Sequence, residues 1–123
     1  MAPTLAQADD ADLAQCLNAP TGSEQKQCTQ ALFRSAVEEM KKVHARVTEK
    51  AAEADAGNAG SGDGGAAAAI AASQRAWEIY RDAECRDFVG RGGGSGRMVW
   101  MFGCLAEKTR ERIRELNTPF DQR

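Results

Sequence analysis

Four cysteines are the residues of this sequence whose side chains offer the most chemistry. They are Cys16, Cys28, Cys85 and Cys104, and no two of them form a C-x-x-C motif. The single histidine, His44, does not lie at any of the short cysteine–histidine spacings that are typical of structural zinc sites. The cysteines therefore favour disulfide bonds over a zinc site or a thioredoxin-type redox motif.

An even number of cysteines in a small secreted chain favours two disulfides, for which three connectivities are possible. Pairing Cys16 with Cys28 and Cys85 with Cys104 closes two short loops, each within one helical hairpin. We expect this pairing, and we expect each disulfide to contribute about 3 kcal/mol to the free energy of unfolding. Such cross-links suit this chain because much of its apolar content is alanine.

Length and charge exclude several classes of function. A chain of 123 residues supports one domain. With 18 acidic and 16 basic side chains, it lacks the basic excess that nucleic-acid binding requires. The longest apolar run, Ala66–Ala72, is too short to span a membrane. No nucleophile is paired with a base and no ligand set has metal-binding spacing, so we expect a binding protein without enzymatic activity, cofactor or metal.

The first residues contain a motif that is typical of secreted proteins. Ala6-Gln7-Ala8 has the small-x-small form of a signal-peptidase site and precedes an acidic segment. We expect residues 1–9 to be a residual signal-peptide or tag region, with Met1 added, and the protein to be periplasmic or secreted. A native cytosolic start with an accidental match is the alternative.

Helical patterns dominate the rest of the chain. Thr21 and Glu24 form a capping box, which predicts a long amphipathic helix over about residues 23–55. Its apolar stripe recurs at spacings of three and four residues: Cys28, Leu32, Ala36, Met40, Val43, Val47 and Ala51. His44 widens this stripe, and we expect it to be a partly buried structural residue.

Two glycine-rich segments interrupt the helical patterns. Gly57–Gly65 reads as a flexible linker, and its G-x-G-x-x-G match lacks the preceding strand of a dinucleotide site. A second helix is predicted over about residues 66–89. Its large apolar residues, which we expect in the core, are Ile70, Trp77, Tyr80 and Phe88. The glycine-rich segment Gly90–Gly96 ends this helix. It is not a phosphate-binding P-loop, because the lysine of that motif is missing.

The last helix is predicted over about residues 97–117, ending before Pro119. Its apolar stripe comprises Met98, Phe102, Leu105, Thr109, Ile113 and Leu116. With a short helix at about residues 10–17, these elements predict an all-α, disulfide-stapled up-and-down bundle of three longer helices and a short N-terminal one. A single domain over residues 10–118 and a tail over residues 119–123 follow from these bounds.

One run in the second helix is distinctive. Gln74–Cys85 reads QRAWEIYRDAEC, and it is followed by Gly93-Gly94-Ser95, Cys104-Leu105 and Thr109-x-x-Arg112. This pattern resembles the LprI-type lysozyme-inhibitor family over about Cys16–Leu116. Unlike some members of that family, the chain shows no lipidation cysteine, and its central segment is unusually rich in glycine.

The resemblance implies a small secreted bacterial domain that binds a protein, with inhibition of a lysozyme as the leading hypothesis. An envelope interaction or scaffold module, docking through the long helix without inhibitory activity, is the alternative. Four signature residues have the simplest interpretation as structural: Trp77, Tyr80, Arg81 and Asp82. We favour an inward-facing ion pair for Arg81 and Asp82.

The Gly90–Arg97 loop is the candidate partner-binding site. It carries Arg91, Ser95 and Arg97 with little other bulk. Because lysozymes cleave glycosidic bonds with two carboxylates in a cleft, a basic loop with a hydroxyl group has the chemistry to insert there. A tight turn in which glycine merely supplies a positive φ is an equally good interpretation of the same residues.

Overall fold

The computed structural model describes residues 12–59, 64–94, 96–119 and 122. These residues form four α-helices and no strand: α1 over residues 12–17, α2 over Gly22–Gly57, α3 over Ala66–Asp82 and α4 over Arg97–Asn117. A π-helix over Ala83–Phe88 and a 3-10 turn over Val89–Arg91 continue α3 toward α4. The all-α bundle is therefore confirmed. No helix in the described ranges is long and apolar enough to cross a membrane.

The start of α2 is fixed by its capping residue, as the sequence predicts. Thr21 has extended backbone angles, and its side-chain hydroxyl accepts a hydrogen bond from the backbone N–H of Glu24 at 3.1 Å. This contact satisfies one of the free N–H groups of the first turn. The Gln25 side-chain amide donates to the carbonyl oxygens of Leu17 and Ala19, both at 3.1 Å, and so ties the end of α1 to α2.

The three long helices run up, down and up. At the start of α4, the Phe102 ring lies 6.5 Å from the ring of Phe33 on α2. Further along both helices, Arg110 pairs with Glu39, so α4 is parallel to α2. Helix α3 runs the opposite way, because Asp55 bonds its first residues and Arg81, near its end, stacks on Phe33.

The core consists of two clusters along these helices. One joins α2 to the second half of α4, with Ile70 and Trp77 of α3 packed against it: Met40, Val43, Ile113 and Leu116. The other lies toward the start of α4: Cys85, Met101, Phe102 and Leu105. Helix α4 contributes most of the buried residues, on the stripe that its sequence predicts.

Both disulfides have the expected pairing. Cys16 bonds Cys28, and Cys85 bonds Cys104, with Cα–Cα distances of 5.3 and 5.5 Å. They lie toward the same end of the bundle. Cys28 lies little more than one turn before Phe33, and Cys104 is two residues after Phe102, whose ring is next to that of Phe33. At this end of the bundle, one disulfide therefore joins α1 to α2 and the other joins the π-helix to α4.

The expected core position of Tyr80 and Phe88 is wrong. Tyr80 is 52% exposed and Phe88 is 74% exposed. The inward face of α3 instead follows a heptad-like spacing through Ile70, Gln74, Trp77 and Arg81. Because two of these residues, Gln74 and Arg81, are polar, the apolar pattern alone predicts the wrong face of α3 to be buried. The helix also changes to π geometry at Ala83, earlier than the predicted end near residue 89.

Candidate partner-binding site

The loop between α3 and α4 is held at its base by a buried disulfide. Cys85 belongs to the π-helix and is fully buried, and its partner Cys104 lies on the second turn of α4. The chain that leaves the bundle after Phe88 and returns at Arg97 therefore has both ends fixed. Such an anchor restricts the conformations that the loop samples.

Glycines shape this loop at two positions. At Gly90, an added Cβ would lie 3.2 Å from the Met101 sulfur and 3.4 Å from the carbonyl oxygen of Cys85, so the turn packs tightly on α4. Gly94 has a φ of +100°, in the left-handed region that favours glycine. The interpretation of the loop as a turn that uses positive φ is therefore confirmed at Gly94.

Two exposed arginines stand at the ends of the loop. Arg91 ends the 3-10 turn and Arg97 begins α4, and no ion pair holds either of them within the described ranges. From Phe88 to Ala106 they are the only charged residues, in a chain whose net charge is -2. The helix dipole places partial positive charge at the start of α4, and the first turn contains no acidic residue that would offset it. Ser95, the third residue of the sequence hypothesis, lies outside the described residues.

Two exposed aromatic side chains flank the same loop. Phe88 ends the π-helix, and Trp100, on the first turn of α4, is 60% exposed. The Trp100 indole nitrogen lies 3.6 Å from the position that a Cβ would take at Gly96, so the ring rests against the loop. We call Phe88, Arg91, Arg97 and Trp100 the tip. The sequence prediction placed Phe88 in the core and gave Trp100 no role.

A buried arginine stacks between two aromatic rings near the base of the tip. Arg81 is 9% exposed, and its Cζ lies 5.1 Å from the centre of the Trp77 ring and 5.4 Å from that of Phe33. Its Nε donates to Asp82 Oδ1 at 3.0 Å, and Arg86 pairs with the same carboxylate. Arg81 therefore faces inward, as expected, while Asp82 remains half exposed.

A second buried arginine belongs to this interior, and the sequence prediction missed its role. Arg112 donates from Nε to Gln74 Oε1 at 2.9 Å and from Nη2 to Ser73 Oγ at 3.2 Å, both on α3. Its Cζ lies 5.9 Å from the Trp77 ring. The sequence signal for this contact was a glutamine, Gln74, and an arginine, Arg112, at core-facing positions of two neighbouring helices. These contacts join α3 to the second half of α4.

Tyr80 joins the same two helices at their surface. Lys108 Nζ donates to Tyr80 Oη at 3.2 Å. This hydrogen bond raises the pKa of Lys108, and the negative charges of Glu111 and Glu84 act in the same direction. Tyr80 is therefore a surface contact between α3 and α4, in place of its expected position in the core.

His44 is partly buried, as the sequence predicts. Its Nε2 atom is buried and has no hydrogen-bond partner in the part of the chain that the structure describes. The same is true of the Thr48 hydroxyl, one turn further along α2. Without an acidic hydrogen-bond partner for Nε2 in these ranges, His44 forms no acid–base pair through that atom.

Comparison with known proteins assigns this architecture to a family. The model of the family described as lysozyme inhibitor LprI matches residues 16–116. The chain belongs to the LprI family. The match begins at the first cysteine of this LprI domain and spans both disulfides and the whole tip.

A curated relative of the LprI domain extends the likeness to most of the chain. It is an uncharacterized protein of Rhizobium meliloti (strain 1021), 34% identical over 119 residues, which are 94% of this chain and 83% of that protein. No solved structure matches the chain.

Proposed function

We propose that this LprI domain inhibits a lysozyme by binding to it outside the cytoplasm, in the periplasm or after secretion. Membership of a family named for lysozyme inhibition supports the activity. The two disulfides support the location, because such bonds persist in oxidising compartments. The domain acts in this proposal as a protein ligand, without catalysis of its own.

The tip is the surface that fits this role best. The observation that carries the proposal is that Arg91 and Arg97 are exposed at the two ends of a disulfide-anchored loop with no carboxylate between them. A lysozyme presents two carboxylates at its catalytic centre. Arginine binds carboxylates with two parallel hydrogen bonds, so the charges and the donor geometry are complementary.

The scaffold alternative relies on the long helix α2. Its outer face carries exposed charges such as Lys41 and Glu38, which pair with each other at 3.3 Å. Exposed pairs of this kind contribute little to stability. The tip, with charges that lack described partners and large exposed rings, is the better candidate for a binding surface.

The direct test is lysis of a cell-wall suspension by lysozymes of several structural types, with and without the purified oxidised protein. We expect the protein to slow lysis by at least one type. Replacing Arg91 and Arg97 together by alanine should raise the concentration needed for half inhibition about tenfold or more. The loss should be larger at low ionic strength, where the attraction between charges is less screened.

The control is the double replacement of Arg46 and Arg75 by alanine. Both arginines are exposed, on α2 and α3 away from the tip, and the change in net charge is the same. Equal loss of inhibition in both double variants would overturn the role of the tip. No inhibition of any lysozyme type would overturn the proposed function and favour the scaffold alternative.

A further inference from the structure

The chain leaves four large apolar side chains exposed among its described residues: Ile79, Tyr80, Phe88 and Trp100. Tyr80 is engaged by Lys108, and Ile79 lies on α3 before the π-helix. Phe88 and Trp100 flank the loop whose ends carry Arg91 and Arg97. Exposed aromatic side chains next to arginines are the composition of energetically dominant sites in protein interfaces.

We propose that Phe88 and Trp100 enter the sugar-binding subsites of the lysozyme cleft, so that the tip competes with the glycan. This inference rests on the proposed function and adds how the enzyme is blocked. A polysaccharide cleft binds pyranose rings beside its two carboxylates, in a concave surface with apolar and aromatic walls. An aromatic ring is similar in size to a pyranose ring and buries a large apolar area in such a pocket.

The order of charges and rings along the chain is compatible with that of the cleft. The carboxyl groups of a retaining glycosidase lie about 5 Å apart, with sugar subsites continuing on both sides. The tip has its cationic groups at the ends of the loop and its rings just outside them in the chain, at Phe88 and Trp100. Because the Cys85–Cys104 disulfide fixes both sides of the loop, little conformational freedom has to be lost on docking.

The same rings are the kind of surface that stacks on a glycan directly, but the neighbouring side chains favour the enzyme. Between Phe88 and Ala106 there is no Asp, Glu, Asn or Gln, so Ser95 is the only side chain that offers an oxygen acceptor to sugar hydroxyls. Two arginines are donors without an acceptor function. That set of side chains complements carboxylates, whereas it offers the hydroxyl protons of a glycan a single side-chain acceptor.

The first experiment measures inhibition with a soluble fluorogenic chito-oligosaccharide at several substrate concentrations, using the oxidised protein and a lysozyme type that it inhibits. We expect the apparent inhibition constant to rise linearly with substrate concentration while kcat is unchanged. An N-acetylglucosamine trimer, added as a ligand of the cleft, should displace the protein from the enzyme. Inhibition that lowers kcat at saturating substrate would overturn the competitive mechanism and leave the proposed function intact.

The second experiment replaces Phe88 or Trp100 by alanine. Each change should raise the inhibition constant about tenfold or more. Ile79→Ala is the matched control, because Ile79 is 71% exposed and lies outside the tip. Circular dichroism and non-reducing peptide mapping would verify that each variant keeps its helices and disulfides. Inhibition constants that stay at the wild-type value in both tip variants would overturn the inference.

A third measurement separates binding to the enzyme from binding to the glycan. Sedimentation with insoluble peptidoglycan in the absence of lysozyme should leave the protein in the supernatant. Retention on peptidoglycan that Phe88→Ala or Trp100→Ala abolishes would show that the rings bind the glycan and would overturn the inference. No inhibition of any lysozyme would instead overturn the proposed function on which the inference rests.

Discussion

The carboxylate of Asp55, near the end of α2, accepts a hydrogen bond from the backbone N–H of Ala66, the first residue of α3, at 2.8 Å. Its other oxygen accepts from the N–H of Ala67 at 3.0 Å. A carboxylate in this place satisfies free donors of the first turn and complements the helix dipole. One side chain therefore joins two helices across the glycine-rich segment between them.

This contact makes the stability of the protein depend on pH. The backbone hydrogen bonds from Ala67 and Ala66 lower the pKa of Asp55 below its ordinary value of 3.8. Because the folded pKa is the lower one, the contribution is complete above the unfolded value and is lost as pH falls through the folded value. Asp55→Asn should therefore lower the melting temperature at neutral pH, as measured by circular dichroism.

The difference between Asp55→Asn and the wild type should shrink as the pH falls below the unfolded value and through the lowered folded pKa of Asp55, because the wild-type carboxylate is then progressively protonated. The control is Glu53→Gln, a nearby exposed carboxylate on the same helix. A pH-independent difference for Asp55→Asn, or an equal pH dependence for Glu53→Gln, would contradict the capping role.

Removal of either disulfide should destabilise the fold, but only one removal should affect binding strongly. Replacing both members of a pair by alanine should lower the free energy of unfolding by about 3 kcal/mol for loops of this length. The Cys85–Cys104 bond anchors the tip, so its loss should weaken inhibition as well. Chemical denaturation and the lysis assay, applied to the same samples, measure the two effects.

The Cys16–Cys28 double variant is the matched control for this comparison. It removes a bond of similar loop length, with a sequence separation of 12 against 19 residues. Assays should be run at a temperature at which both variants remain folded. Equal loss of inhibition in the two folded variants would contradict a specific role of the Cys85–Cys104 bond at the tip.

The pair of Gln74 and Arg112 should be energetically coupled. Arg112→Met leaves the buried Gln74 carbonyl oxygen without the donor that it has in the wild type, at a cost of about 2 kcal/mol. Gln74→Met removes the acceptor of Arg112 Nε, while the rest of the guanidinium keeps its bonds to Ser73 and Glu115. The Gln74→Met/Arg112→Met double variant should lose less stability than the sum of the two single variants in urea denaturation, since no unmatched partner remains. Additive losses would show that the hydrogen bond is not a coupled unit.

The buried hydroxyl of Thr48 gives a prediction of the opposite sign. Its Oγ1 finds no hydrogen-bond partner among the described residues, so Thr48→Val should raise the free energy of unfolding by about 1 kcal/mol. Thr48→Ser keeps the hydroxyl and removes the methyl group, and it should lower stability. Thermal unfolding of the two variants separates these effects, and a destabilised Thr48→Val protein would reveal a partner for the hydroxyl.

The helices and the disulfides were predictable because their signals are local. The capping contact of Thr21 and the apolar stripe ending at Leu116 both lie within single helices, where spacing determines which side chains share a face. The disulfide pairing followed from hairpin geometry for the same reason. These features require no knowledge of how one helix is rotated against another.

The face that α3 turns inward was not predictable in this way. Gln74 and Arg81 occupy buried positions because partners on other helices, Arg112 and the ring of Phe33, stabilise their polar groups. Apolar periodicity is insensitive to such tertiary contacts, so it favoured Tyr80 for the core. The change to π geometry after Asp82, which precedes the exposed Phe88, has no simple sequence signal either.

Both disulfides lie at the end of the bundle that carries the tip, and the opposite end is held by side-chain packing and by the Asp55 contact. Opening of that opposite end, where α2 ends and α3 begins, breaks no covalent bond. We therefore expect amide hydrogen exchange to be fastest there and slowest around Cys85 and Leu105. The two ends of the bundle would then unfold separately. The end that carries the tip would stay folded under heat, acid or protease treatment that already opens the opposite end.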